Sequence, residues 1–192
     1  VGVHGPDAHE GRRDRLLRAA ADAAIFLDRH SEDPYKTTSL YVVVAGKSRN
    51  GGMTDGFFFE DLAVSQSASF SKTVTEADVE LFAGLSGDLN PVHVNAEEAA
   101  RSIFGERIAH GMLCASFIST VLGTRLPGPG TIYLSQSLRF TAPVKIGQTV
   151  RATVTVTALN PEKRRATLQT VCTVGDQVVV EGEALVKVPS RG

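Results

Sequence analysis

Ile108-Ala109-His110-Gly111-Met112-Leu113-Cys114-Ala115-Ser116-Phe117-Ile118-Ser119-Thr120-Val121-Leu122 is the stretch whose reading decides the fold. Its apolar residues leave almost no polar face, and a helix that is apolar nearly all round belongs inside a core. The small residues Gly111, Ala115, Ser116 and Ser119 would let other backbones approach it closely. What encloses it follows from the flanks.

Downstream, Thr131 to Thr141 places Ile132, Leu134, Leu138 and Phe140 in period two, the period of a strand. Thr149 to Ala158 alternates Val150, Val154 and Val156 with Arg151, Thr153 and Thr155. Arg164 to Val174 and Gln177 to Val188 complete four strand candidates, separated by turn signals at Pro143–Gly147, Asn160–Lys163 and Gly175-Asp176. Upstream, Gln66 to Val74 alternates well enough for a first strand. Five strands and one central apolar helix predict an α+β domain, a five-stranded antiparallel sheet wrapped around a long helix.

Two shorter helices lie between the first strand and the central helix. Thr75-Glu76-Ala77-Asp78 is close to a capping box, opening a helix that buries Val79, Phe82 and Ala83 and stops near Ser86-Gly87. Asn95-Ala96-Glu97-Glu98 gives a second such signal for a helix to about Phe104.

The domain expected from these elements covers residues 53–192. Residues 1–52 do not match it. Arg12 to Arg29 could form a helix and Ser39 to Ala45 a short strand, before a flexible Gly46–Gly52 run. Gly46-Lys47-Ser48 is like the end of a phosphate-binding loop, but the upstream Gly is missing at the required spacing. The expectation is that the native protein begins at Met53 and that residues 1–52 are an extension outside the domain.

The chain of 192 residues is 42% hydrophobic and 21% charged, with a formal net charge of −1. That charge gives no electrostatic reason to expect nucleic acid or an anionic membrane as partner. The apolar runs fall far short of the roughly 20 residues that cross a bilayer, and no signal pattern opens the chain, so a cytoplasmic protein is expected. Cys114 and Cys172, isolated in apolar sequence, read as small buried hydrophobes, and no metal site is expected.

Chemistry concentrates at Gly87-Asp88-Leu89-Asn90-Pro91-Val92-His93 and at His110-Gly111. Asp, Asn and Pro also suit a plain turn, and Gly111 also suits close helix packing. Yet His93 and His110 are the two histidines of the organised domain, and Asn90-Pro91 is a rigid turn able to aim a carboxylate and an imidazole into one space. A near-neutral imidazole beside a second acid–base group is what hydration or dehydration requires. Gly111, at a helix N-terminus, offers an unpaired N–H to a substrate carbonyl oxygen.

With Ser135-Gln136-Ser137-Leu138-Arg139-Phe140-Thr141-Ala142-Pro143-Val144, these two motifs resemble the MaoC-like (R)-specific enoyl-CoA hydratases over about Phe57 to Val188. The resemblance implies a hot-dog fold and a homodimer joined through the sheets. It implies hydration of trans-2-enoyl-CoA to (R)-3-hydroxyacyl-CoA, with an acyl-CoA thioester as substrate and neither metal nor cofactor. It puts the catalytic pair on Asp88 and His93 and the oxyanion hole on Gly111, with Asn90, Ser119 and His110 in support. Arg101, Arg107, Arg125, Arg139 and Lys145 are available for the CoA phosphates, each equally readable as a solvated surface charge. A hot-dog thioesterase and a non-catalytic acyl-CoA-binding module are the competing functions.

Overall fold

The computed structural model describes residues 56–191. The expectations for residues 1–52 and for a start at Met53 lie outside the described residues.

Strand β1 (Ser67–Thr73) leads into helix α1 (Glu76–Ser86). The capping box forms as expected: Thr75 accepts from the Asp78 N–H, and Asp78 accepts the Thr75 N–H at 2.9 Å. These bonds from Thr75, with Lys72 3.1 Å away, hold the Asp78 carboxyl below the usual carboxylate range. Gly87 ends the helix at φ 76°, a left-handed conformation that glycine adopts without penalty.

The expected turn at Asp88–His93 contains a further single-turn helix, α2 (Pro91–Val94), capped by the Asn90 side chain. Proline suits the first helical position because its missing N–H would be unpaired there anyway. Helix α3 (Ala96–Arg101) follows under an Asn95 cap and stops short of the expected Phe104. Glu98 turns to Arg101 rather than back to Asn95, so this second box is half formed.

The central helix α4 spans Gly111–Thr124. Leu113, Cys114, Phe117, Ile118, Val121 and Leu122 are buried against the sheet. The expectation of burial nearly all round needs correction. Met112, Ser116, Ser119 and Gly123 are exposed, a stripe at helical spacing. The helix has one covered face, and Ser116, Ser119 and Gly123 line the open one while Ala115 is buried.

Strands β2 (Ile132–Phe140), β3 (Thr149–Asn160), β4 (Arg165–Val174) and β5 (Gln177–Lys187) complete one sheet in the order β1-β3-β4-β5-β2, antiparallel throughout. The period-two reading of β3 holds: Val150, Ala152, Val154 and Val156 face the helix, fully or almost fully buried. Leu168, Cys172, Ala184 and Val186 extend that face across β4 and β5. β2 pairs on one side with β5, and its other side forms an edge along which Ile132, Leu134 and Phe140 are exposed. At Gly182 the chains press close, where a side-chain Cβ would fall 1.8 Å from the Ser137 carbonyl oxygen.

Candidate active site

The site forms where the turn after α1 meets the N-terminus of α4. Residues 107–109 hold the two together. The Ile108 N–H donates to the Val92 carbonyl, the Ala109 N–H donates to the Val144 carbonyl, and Arg107 Nε donates to the His93 carbonyl at 2.6 Å. Arg107 also pairs with Glu76, so it fastens the helix that carries His93 to α1.

His93 is 8% exposed, and its Nδ1 lies 2.9 Å from the Ile108 carbonyl oxygen. A carbonyl only accepts, so Nδ1 carries the proton in the neutral ring and Nε2 keeps its lone pair. His110 is fixed in the opposite sense, with Nε2 donating to the Asp88 carbonyl at 3.0 Å. The two rings stack with centroids 3.9 Å apart at 30°. Asp88 is exposed, and its Oδ1 accepts the Asn90 N–H. Ligating atoms of Asp88, His93 and His110 all lie within 4.8 Å of one another, so these three are the residues able to hold a metal among the described ones.

Asp88, His93 and His110 line a cavity of about 470 Å³ together with Gly111. The Gly111 N–H, at the first position of α4, makes no hydrogen bond to the described residues. Phe104, Met112 and Val180 give the cavity apolar walls. Cys114 is also on the wall, its thiol pushed up to about 11 by burial. It stays protonated at neutral pH and offers no thiolate nucleophile.

Asp88, His93, His110 and Gly111 are thus brought together as the sequence suggests, while Asn90 stands behind them, off the cavity wall, capping α2 and donating its N–H to Asp88. Ser119 is not. It lies eight residues along α4 from Gly111, roughly 12 Å of helix rise, on the exposed face and off the cavity wall. The basic residues considered for CoA phosphates are already engaged. Arg101 pairs with Glu98, Arg107 with Glu76, Arg139 with Glu181 and Lys145 with Glu106, while Arg125 bonds the Ser69 carbonyl and lies over Phe70.

Phe140 and Arg107 carry roles that sequence reading missed. The Phe140 ring rests on Gly111, where an added Cβ would meet it at 2.8 Å. A period-two strand assigns Phe140 a face but not this contact across the fold. Arg107 stands next to the His110-Gly111 motif, and that adjacency was the available signal.

A five-stranded antiparallel sheet on one long helix, with an imidazole, a carboxylate and a free helix N-terminus sharing one cavity, defines a hot-dog fold carrying an acid–base site. Residues 62–181 match the MaoC like domain, and the chain belongs to that family. It is 63% identical over 135 residues to an (R)-specific enoyl-CoA hydratase of Rhodospirillum rubrum, covering 70% of this chain and 94% of the relative. A 3-hydroxybutyryl-CoA dehydratase of Methylorubrum extorquens is 54% identical, over 70% of this chain and 85% of the relative. Among solved structures, the unliganded R-hydratase PhaJ1 of Pseudomonas aeruginosa aligns with TM-score 0.68 and 44% identity, over 71% of this chain and 88% of that one. The (R)-hydratase from A. caviae involved in PHA biosynthesis aligns with TM-score 0.66 and 49% identity, over 68% of this chain and 99% of that one.

Proposed function

We propose that this protein is an (R)-specific enoyl-CoA hydratase, adding water across trans-2-enoyl-CoA to give (R)-3-hydroxyacyl-CoA and catalysing the reverse dehydration. One observation carries the reading: two acceptors, the Asp88 carboxylate and His93 Nε2, share a cavity with the unpaired Gly111 N–H. A water bonded to two acceptors at about 2.8 Å each spans about 4.4 Å between them, and a carboxylate oxygen of Asp88 lies within 4.8 Å of a ring nitrogen of His93. With both hydrogens so held, the water's lone pair is left to attack C3. The C3–O bond forms, the double-bond electrons move toward the thioester carbonyl, and the Gly111 N–H stabilises the growing negative charge on oxygen. The proton that the Asp88–His93 pair takes from water is then delivered to C2 on the same face, where the enolate electrons form the C2–H bond.

Water addition leaves the substrate's overall oxidation state unchanged, so no redox cofactor is needed. Nor does any step call for a metal, since the Gly111 N–H supplies the charge stabilisation at the carbonyl oxygen.

The protein acts as a homodimer in this proposal. The open edge of β2, with Ile132 56% exposed and Phe140 50% exposed, is a template for pairing with another strand. The uncovered stripe of α4, Ser119 included, offers small residues for close approach. Two free buried thiols, Cys114 and Cys172, support a reducing compartment, here taken as the cytoplasm.

Crotonyl-CoA tests the function. The wild type should consume the enoyl thioester absorbance and form the (R)-3-hydroxy product. Asp88→Asn and His93→Ala should each lower the rate by about 10²–10⁴-fold, the usual share of a positioned acid–base group. Release of free CoA with the enoyl group intact would identify a thioesterase instead, and tight binding without turnover a binding module.

A further inference from the structure

This inference rests on the hydratase reading, in which Asp88, His93 and the Gly111 N–H must keep one arrangement. We propose that His110 is the positioning residue of the site, tying the Asp88 turn to the catalytic imidazole and to the oxyanion-binding helix terminus.

The hydrogen bonds of the turn carry the argument. Asp88 N–H donates to Ser86 Oγ, Leu89 N–H to the Gly87 carbonyl and Asn90 N–H to Asp88 Oδ1, and Asn90 accepts from Val92 and His93. All of these are local. For residues 88–90, the bond from His110 Nε2 to the Asp88 carbonyl is the single hydrogen bond to a distant segment among the described residues.

The same ring stacks on His93 at 3.9 Å and meets Phe82 on α1 at 5.0 Å. Its main chain caps α4, accepting the Leu113 and Cys114 N–H groups directly behind Gly111. One residue therefore sets the carboxylate turn, the imidazole plane and the aim of the oxyanion donor.

Packing does not account for it. His110 is 1% exposed, and its Nδ1 is buried with no hydrogen-bond partner. Because Nε2 donates, Nδ1 is an acceptor, and a buried unpaired acceptor is destabilising. A phenyl ring would stack equally and carry no such burden. What a phenyl ring lacks is the N–H that reaches Asp88.

The test is H110F and H110Q, assayed for crotonyl-CoA kcat, KM and Tm beside the wild type. In H110F the turn loses its tether, and kcat should fall about 10²-fold, the usual effect of misplacing a reacting group by about 1 Å. KM should stay within about threefold, since substrate binding is not what is lost. Tm should equal or exceed that of the wild type. H110Q keeps an amide N–H toward Asp88 and should run about tenfold or more faster than H110F.

A kcat for H110F within about threefold of wild type would overturn the proposal. So would a loss confined to KM, equal losses in H110F and H110Q, or failure of H110F to fold, since each assigns the ring another role. If the wild type itself does not hydrate enoyl-CoA, the hydratase reading falls. The positioning geometry is still read separately, from the imidazole 15N spectrum. That spectrum should show His110 protonated at Nε2 and His93 at Nδ1, and the reverse tautomer at His110 would refute the tether.

Discussion

Replacing Gly111 by Ala sets a methyl group where the Phe140 ring now rests. The new Cβ would lie 2.8 Å from both Cδ1 and Cε1 of that ring, against about 3.5–4.0 Å for a relaxed carbon–carbon contact. The ring must retreat by about 1 Å. It is able to, because it is a side chain and Phe140 is 50% exposed. The helix gains from the change, since Ala is preferred over Gly by up to about 1 kcal/mol in a helix. The fold should therefore survive while the cavity wall shifts relative to the Gly111 N–H. A misplacement of that size is worth about 10²-fold in rate, or about 2.7 kcal/mol of barrier. The assay is kcat/KM with crotonyl-CoA alongside thermal unfolding, for Gly111→Ala alone and combined with Phe140→Leu, which removes the obstructing ring. The single variant should lose about 10²-fold with Tm maintained, and the double variant should regain about tenfold or more. Activity of the single variant within about threefold of wild type, or no recovery in the double, would refute this reading of the Phe140–Gly111 contact.

Gly182→Ala should behave oppositely. Its Cβ meets main chain, 1.8 Å from the Ser137 carbonyl oxygen, so stability should drop by about 1–3 kcal/mol or more in denaturant unfolding, and an unchanged midpoint would disprove the close approach. Ile118→Ala, at a fully buried position, should destabilise by about 2–5 kcal/mol while the folded fraction keeps its kcat. Burial pushes the thiols of Cys114 and Cys172 up from 9.0 to about 11 and about 12. The folded state then holds protons that the unfolded state has released, so the thiol contribution is complete below pH 9 and is lost as pH rises through about 11 to 12. Denaturation midpoints that rise over that range would contradict the sign.

The parts of this structure that were legible in sequence are those set by local chemistry. Thr75–Asp78 closes its box because both partners lie three residues apart. Gly87 ends α1 because the next conformation requires positive φ. The β3 alternation shows because one face is dry. Illegible were the features fixed by distant pairings. Nothing in Met112, Ser116, Ser119 and Gly123 distinguishes an open stripe from a packed one, since an apolar residue followed by small ones serves both. The basic residues near the site read as free charges until the fold sets Glu76 beside Arg107 and Glu106 beside Lys145. For the candidate site, the two sequence motifs pointed to residues that the fold sets around one cavity, while the opposed tautomers of His93 and His110 depend on two carbonyls that only the fold brings near.

The strand order has a consequence for how the domain is reached. β3, β4 and β5 follow one another through short turns, whereas β1 joins β3 across the whole catalytic segment, with Thr73 and Thr149 separated by 76 residues yet bonded side chain to side chain. Contacts close in sequence form at the least entropic expense, which makes the β3–β4–β5 meander the natural nucleus and leaves residues 74–131 to dock afterwards. Substitutions in that late segment should therefore act mainly on the unfolding rate. Refolding speed should then be insulated from changes at Asp88, His93, His110 and Gly111.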